Sequence, residues 1–252
     1  MHVVITGASS GLGMAIAREM SASGADVTLV ARRRAALEGL AAELPGRSHV
    51  AVQDLSDPTH ATDFLAGAEE ALGPIDVLVS NAGSLTLGPV STFDPVEGEK
   101  MMAVNLLSPV RLMRAVLPSM LERRSGVVVN VTSVAAYVTL PGWIYQSASK
   151  RGSAAFSEGL AVELAGTGVH VMTVYPGMTD TPMTQGGLEA YGRTGLTRLV
   201  PLGDPAEMAR RLRRAIDKRR RRMTYPRSYA LLRAFPRTAQ LFASLFAPRL
   251  PA

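Results

Sequence analysis

The apolar positions of this chain fall into short unbroken runs separated by longer stretches with helical spacing. Residues 3–6, 26–31, 49–53, 77–80, 126–131 and 169–174 read as strands. Residues 14–22, 34–44, 61–72, 96–123 and 146–164 read as helices. The fourth is expected to break or bend near Pro109, because proline lacks an N–H and clashes with the preceding turn. Runs such as Val127-Val128-Val129 show no polar alternation, as expected of a sheet covered on both faces. Strand–helix alternation of this kind predicts an α/β chain with a doubly wound parallel sheet, the Rossmann fold, in one domain. Residues 1–183 form its core. Residues 184–202 scatter Gly186, Gly187, Gly192 and Gly195 among polar residues and read as a lid loop over a substrate. Residues 203–252 read as a C-terminal helical extension of the same domain.

Composition narrows the classes. The 252 residues include no cysteine, which excludes a disulfide scaffold, a thiolate metal site and a cysteine nucleophile. No stretch approaches the roughly 18 unbroken apolar residues of a membrane span. The chain opens on Met1-His2-Val3 without a basic leader, so a soluble, cytoplasmic protein is expected. Charge is uneven: residues 1–200 hold 14 basic and 18 acidic side chains, whereas residues 201–252 hold 13 and 3. The basic character thus belongs to the C-terminal region, and no nucleic-acid motif accompanies it. His2, His49, His60 and His170 have no ligand spacing, so no metal is expected.

Thr6-Gly7-Ala8-Ser9-Ser10-Gly11-Leu12-Gly13 lies between the first strand and the first helix. Gly7 suits the tight turn, Gly11 lets backbone approach a pyrophosphate, and Gly13 lets helix pack on strand. The helix N-terminus supplies free N–H donors. At the end of the second strand, where an acid would hold the ribose hydroxyls of NAD, stand Ala31-Arg32-Arg33-Arg34. Arg32 and Arg33 suit a 2′-phosphate, so NADP(H) is the expected cofactor; Arg34 reads as a cationic helix start.

These residues resemble the short-chain dehydrogenase/reductase family in its form of about 250 residues, over roughly 1–183 of this chain. The resemblance makes the glycine loop, with Ser9, Ser10 and Leu12, the cofactor loop, and Asp54-Leu55 the adenine-contacting pair. It makes Asn81-Ala82-Gly83 the motif that stabilises the sheet and lines the cofactor site. It implies that Asn105 holds a proton-relay water, that Ser133 orients substrate and that Lys150 binds the nicotinamide ribose. Pro176-Gly177-Met178-Thr179-Asp180-Thr181 resembles the loop whose threonine holds the carboxamide, giving Pro176, Gly177, Thr179 and Thr181 as cofactor contacts. It also implies a homodimer or homotetramer, with residues 96–123 and 146–164 at the interface.

The chain departs from the family at its proton donor. The family tyrosine stands four residues before the lysine and about thirteen after the serine, and both counts arrive at Gln146. Tyr145 is adjacent, but one helical residue turns a side chain by about 100°. A glutamine amide can polarise an oxygen but cannot readily surrender a proton. Four readings stay open: Tyr145 swings in as the acid, a water on Lys150, Asn105 and Gln146 relays the proton, the substrate is an already protonated imine, or NADP(H) is bound without turnover. The leading expectation is hydride transfer between NADP(H) and the carbonyl or imine of a lipophilic small molecule. Ser133 with Lys150 also suggests a Ser–Lys hydrolase, but the nucleophile elbow is absent.

Leu85, Leu140, Trp143, Met178 and Tyr191 flank these residues and are expected to line an apolar substrate pocket, with core packing the competing role for Trp143 and Leu140. In the extension, residues 229–236 and 241–246 have apolar residues three and four apart, which predicts short amphipathic helices interrupted by Pro236 and ended by Pro248. They are expected to cover the substrate site or a second subunit, with peripheral membrane contact the alternative.

Overall fold

The computed structural model of the chain describes residues 1–191 and 202–246, the side chains of 188–191 and 246 excepted. Seven strands form one parallel sheet: β1 (His2–Thr6), β2 (Asp26–Ala31), β3 (Ser48–Val52), β4 (Val77–Ser80), β5 (Gly126–Val131), β6 (Val169–Pro176) and β7 (Arg222–Tyr225). Their order is β3-β2-β1-β4-β5-β6-β7. The order reverses between β1 and β4, so a crevice opens there beyond the carboxyl ends of the strands.

The two faces follow from the period of two along each strand. Val3, Ile5, Val27, Leu29, Val77, Val79, Val129, Val131, Met172 and Val174 point to one face. There they meet α1 (Gly11–Ala22), α2 (Arg34–Glu43) and α8 (Pro205–Asp217). Val4, Val30, Leu78, Val128, Val169 and Val171 point to the other and meet α5 (Ser108–Glu122) and α6 (Ile144–Glu163). Two further helices, α3 (Leu65–Leu72) and α4 (Pro95–Met102), complete the first 163 residues.

Two sequence expectations are corrected. The long helix expected over 96–123 is interrupted before Pro109, by a π-helical turn at Ala103–Leu107. Pro109 sits in the first turn of α5, where its missing N–H has no helical partner to lose. The glycine-rich segment after residue 183 is not a loop throughout: α7 (Pro182–Tyr191) fills its first half, and the remainder of that stretch, 192–201, lies outside the described residues. The basic region is built into the core through α8. Asp204 caps α8 by accepting N–H bonds from Ala206 (3.1 Å) and Glu207 (3.0 Å). Met208, Leu212 and Ile216 then enter the core, each stabilising by roughly 1.5–3 kcal/mol. The basic side chains of α8 take the outer face, where Arg213 bonds Glu19 of α1 at 2.8 Å. The strand β7 follows, and then the short α9 (Ala230–Ala234) and α10 (Pro236–Phe246), broken at Pro236 as expected.

Candidate active site

The turn from β1 into α1 is a cradle whose glycines tolerate no side chain. Gly7 has φ +71°, and its N–H donates to the Val30 carbonyl at 2.8 Å. A Cβ on Gly13 would strike the Gly7 carbonyl. Ser10 occupies the N-cap of α1 without a side-chain capping bond, which leaves the first-turn N–H groups open to an anion. Thr6 ties this turn to β4: its Oγ1 accepts N–H bonds from Asn81 (2.9 Å) and Ala82 (3.0 Å), and Asn81 Nδ2 donates to the Thr6 carbonyl at 2.9 Å. On the opposite rim, a Cβ on Gly11 would lie 3.2 Å from the Thr181 side chain. Thr181 caps α7 by accepting the Thr184 N–H at 3.3 Å, while Thr179 Oγ1 donates to the Gly177 carbonyl at 3.3 Å.

The arginines after β2 separate by role. Arg33 reaches back over the cradle and donates to the Ser9 carbonyl (2.9 Å) and Ser9 Oγ (3.1 Å). Arg34 pairs with Glu38 one turn along α2. Arg32 is exposed beside them. Asp54 is exposed and accepts the Ser56 N–H. The Leu55 side chain is buried in the core, so only its backbone can face a ligand.

A second cluster lies where the π-helical turn, β5 and α6 meet. The buried face of α6 is polar, carrying Gln146, Ser149, Lys150, Ser153 and Ser157. Asn105 is gripped by the backbone of Ser84: its Oδ1 accepts the Ser84 N–H and its Nδ2 donates to the Ser84 carbonyl, both at 2.9 Å. A backbone N–H only donates and a carbonyl only accepts, so the Asn105 amide has one orientation. Its Nδ2 also donates to Gln146 Oε1 at 2.9 Å and to Ser149 Oγ at 3.2 Å. Gln146 is therefore oriented too, with Nε2, a donor only, as its other atom. Lys150 Nζ donates to the Val131 carbonyl at 3.1 Å, and burial pushes its pKa down to about 8. A Cβ on Gly83 would lie 3.4 Å from Asn105 Oδ1 and 3.6 Å from Lys150 Nζ, so these groups converge on one glycine. Two residues past Val131, Ser133 caps a short 3-10 turn by accepting the Ala135 N–H at 3.1 Å.

Tyr145 is not brought to this cluster. Its ring packs on Phe93, with centroids 5.2 Å apart, and occupies the space that a Cβ on Gly98 of α4 would need. Of the four readings left open, the one in which Tyr145 swings in as the acid is not the arrangement seen. The helix is already formed at Ile144, and the rotation of one residue carries the ring to α4.

Around the cluster, the loop after β4 and the segment before α6 are joined by the Gly88 N–H donating to the Gly142 carbonyl at 3.2 Å. Leu85, Leu140 and Trp143 lie on these two segments, all partly buried. Leu85 also closes on α7, 3.1 Å from where a Cβ of Gly187 would stand. Met178 holds the Gly203 N–H on its carbonyl at 2.8 Å; the Tyr191 side chain lies outside the described ones. Two residues that the sequence did not single out belong here. Met183 approaches the Gly83 position to 3.7 Å, and the Tyr229 ring covers Gly177 at 2.6 Å from its Cβ position. Neither carries a motif, and each reaches the site only through tertiary packing.

Residues 1–191 match the short chain dehydrogenase family. The chain belongs to the short-chain dehydrogenase/reductase family. An uncharacterized oxidoreductase of Staphylococcus epidermidis is 34% identical over 183 residues, 73% of this chain and 80% of that one. A short-chain dehydrogenase from Streptomyces avermitilis superposes with TM-score 0.82 at 32% identity, covering 97% of this chain and 95% of that one. A short-chain dehydrogenase from Sphingobium yanoikuyae, in complex with NADPH, superposes with TM-score 0.80 at 27% identity, covering 100% and 97%. The open N–H groups of α1 and the bare backbone at Gly7, Gly11 and Gly13 fit the nicotinamide dinucleotide that the family binds.

Proposed function

We propose that the protein is an NADP(H)-dependent reductase of a carbonyl or imine on a lipophilic small molecule, working without the family tyrosine. The observation that carries this reading is the Asn105–Gln146 hydrogen bond, which leaves Gln146 Nε2 as a fixed donor at the tyrosine's position in the chain.

The dinucleotide, when bound, supplies the hydride. Gly7, Ser9, Ser10, Gly11, Leu12 and Gly13 would hold its pyrophosphate, with Asn81, Ala82 and Gly83 along its flank. Asp54 and Leu55 would bound the adenine end, and Pro176, Gly177, Thr179 and Thr181 the carboxamide end. Arg33, already on Ser9, and the exposed Arg32 supply the planar donors that suit a 2′-phosphate. The NADPH of the Sphingobium relative supports the same choice.

At the substrate end, Ser133 and Gln146 Nε2 donate toward the oxygen or nitrogen that gains charge as hydride arrives. Lys150 is the titratable group of the cluster. With its pKa near 8 it is mostly an ammonium at neutral pH and is poised to release a proton, directly or through one water. Having no lone pair to offer at Nε2, Gln146 cannot itself carry the proton, so that transfer falls to Lys150 or to a water beside it. Leu85, Leu140, Trp143, Met178 and Tyr191 would give the pocket an apolar wall, and α7 with the segment after it would be its lid. A homo-oligomer through α5 and α6 accords with the exposure of Phe156 and Val162.

A second reading is a dinucleotide binder without turnover. It is favoured by one observation: the only tyrosine adjacent to position 146 in the chain is turned onto Phe93. NADPH oxidation against ketones, aldehydes and cyclic imines, alongside equilibrium binding of NADPH and NADH, separates the two. Turnover with any carbonyl or imine supports the reductase, whereas tight NADPH binding with no turnover across the panel supports the binder.

A further inference from the structure

The helix α10 is amphipathic in the wrong sense for a face left in water. Its inward side presents Ala239, Gln240 and Ala243, which are partly buried, while Leu241 and Leu245 point outward at 59% and 67% exposure. The preceding turn adds Leu231 at 65% and Phe235 at 62%. The helix is nonetheless firmly seated. Gln240 Oε1 accepts the Thr139 N–H at 2.9 Å and Gln240 Nε2 donates to the Thr139 carbonyl at 3.0 Å, as a neighbouring strand would. The clamp uses both ends of the amide and fixes which side faces out. Outward leucines are therefore imposed by the docking and are not the result of a frayed terminus.

Charge identifies what covers this face. No acidic residue follows Asp217 in the chain. Arg227, Arg233 and Arg237, around the apolar residues, are all exposed and have no carboxylate within ion-pair reach among the described residues. The arginine-rich run before β7 does not contribute, because it lies at the amino end of that strand and α9 follows the carboxyl end. A second copy meeting this face across a two-fold axis would bring both sets of three arginines into one interface, with no acidic residue of α9 or α10 to offset them. An anionic surface with an apolar interior suits both features.

We propose that α9 and α10 dock on the anionic headgroup surface of a phospholipid bilayer, with Leu241, Leu245, Leu231 and Phe235 entering the acyl boundary and Arg227, Arg233 and Arg237 at the phosphates. Docking lies in the plane of the surface, since none of the described helices is long and apolar enough to cross a membrane. It does not depend on the reductase reading, because binding is read without turnover.

Co-sedimentation of the full chain with vesicles tests it. Phosphatidylcholine alone would be compared with phosphatidylcholine and phosphatidylglycerol in equal parts, at low and high salt. The expected result is partition into the anionic vesicles at low salt, weakened by salt. It should fall about tenfold or more in Leu241→Ser/Leu245→Ser, and by a similar factor in Arg233→Gln/Arg237→Gln. No sedimentation with the anionic vesicles at low salt overturns the proposal. So does a concentration-dependent dimer that the leucine pair abolishes while vesicles bind neither form, which would make this face a contact between copies. Both pairs are surface changes, and an unchanged melting temperature confirms that the variants are folded.

Discussion

The Asn105 side chain donates from Nδ2 to Gln146 Oε1 at 2.9 Å, and both amides take their direction from the backbone of Ser84. The π-helical turn that carries Asn105 thus reaches across to α6 and turns one carboxamide so that its remaining polar atom, Nε2, can only donate. If that donor serves reduction, Asn105 is a positioning residue. Asn105→Asp would remove the Nδ2 donor and leave the shape. The Gln146 amide should then reverse, and kcat should fall by about 10²-fold with NADPH affinity within about twofold. Steady-state kinetics with a binding titration checks this.

Tyr145 serves packing in this account. Tyr145→Phe should leave turnover within about twofold, since its hydroxyl takes no part. Tyr145→Ala, which empties the space between Phe93 and Gly98, should destabilise by about 1–3 kcal/mol in denaturant unfolding. A loss of turnover in Tyr145→Phe with unchanged stability would return the hydroxyl to the chemistry.

Arg33 is expected to select the phosphorylated cofactor. Arg33→Ala should raise the NADPH dissociation constant by about 10–100-fold and change NADH binding little. Equal weakening of both would mean that Arg33 only braces the Ser9 loop, to which it is already bonded.

Lys150 links the site to pH twice. Burial holds its pKa at about 8, below the ordinary 10.5, so the folded chain binds the proton less tightly than the unfolded one. The resulting destabilisation is fully present below about pH 8. It is relieved as pH rises toward 10.5, because there the unfolded state holds more protons. The gain should be on the order of 3 kcal/mol across that window, and Lys150→Met should lack this part of the slope. Turnover runs the other way. As the acid, Lys150 should give a rate that falls as pH rises through about 8. Thermal unfolding and kcat against pH, in parent and variant, read the two effects.

Much of this arrangement was legible in the residues, and the exceptions have physical causes. Strands buried on both faces announce themselves by uninterrupted β-branched runs, so β2, β4 and β5 were placed to the residue. The edge strand β7 leaves no strand signal, because Arg222-Met223-Thr224-Tyr225 follows a basic run and is mostly only half-buried, giving neither an apolar run nor a clean alternation. The glycines of α7 carry a loop signal that its tertiary setting overrides. Thr181 caps it, Pro182 starts it, and Gly187 is there to let Leu85 approach, a requirement that belongs to the neighbour and not to the helix. Counting along the chain found Gln146 and set Tyr145 about 100° away, but it could not orient an amide. That needed Ser84, twenty-one residues from Asn105, and the π-helical turn that brings the two together.

Reduction without a tyrosine rests on Gln146 acting as a fixed donor. The direct measurement is NADPH oxidation with ketones, aldehydes and cyclic imines by the parent, Gln146→Ala and Gln146→Tyr, each checked for NADPH binding. The account predicts turnover by the parent and a loss of about 10²-fold in Gln146→Ala, with NADPH still bound. A parent that binds NADPH but is inert on the whole panel, with turnover appearing only in Gln146→Tyr, would contradict it and mark Gln146 as the residue that silences the site.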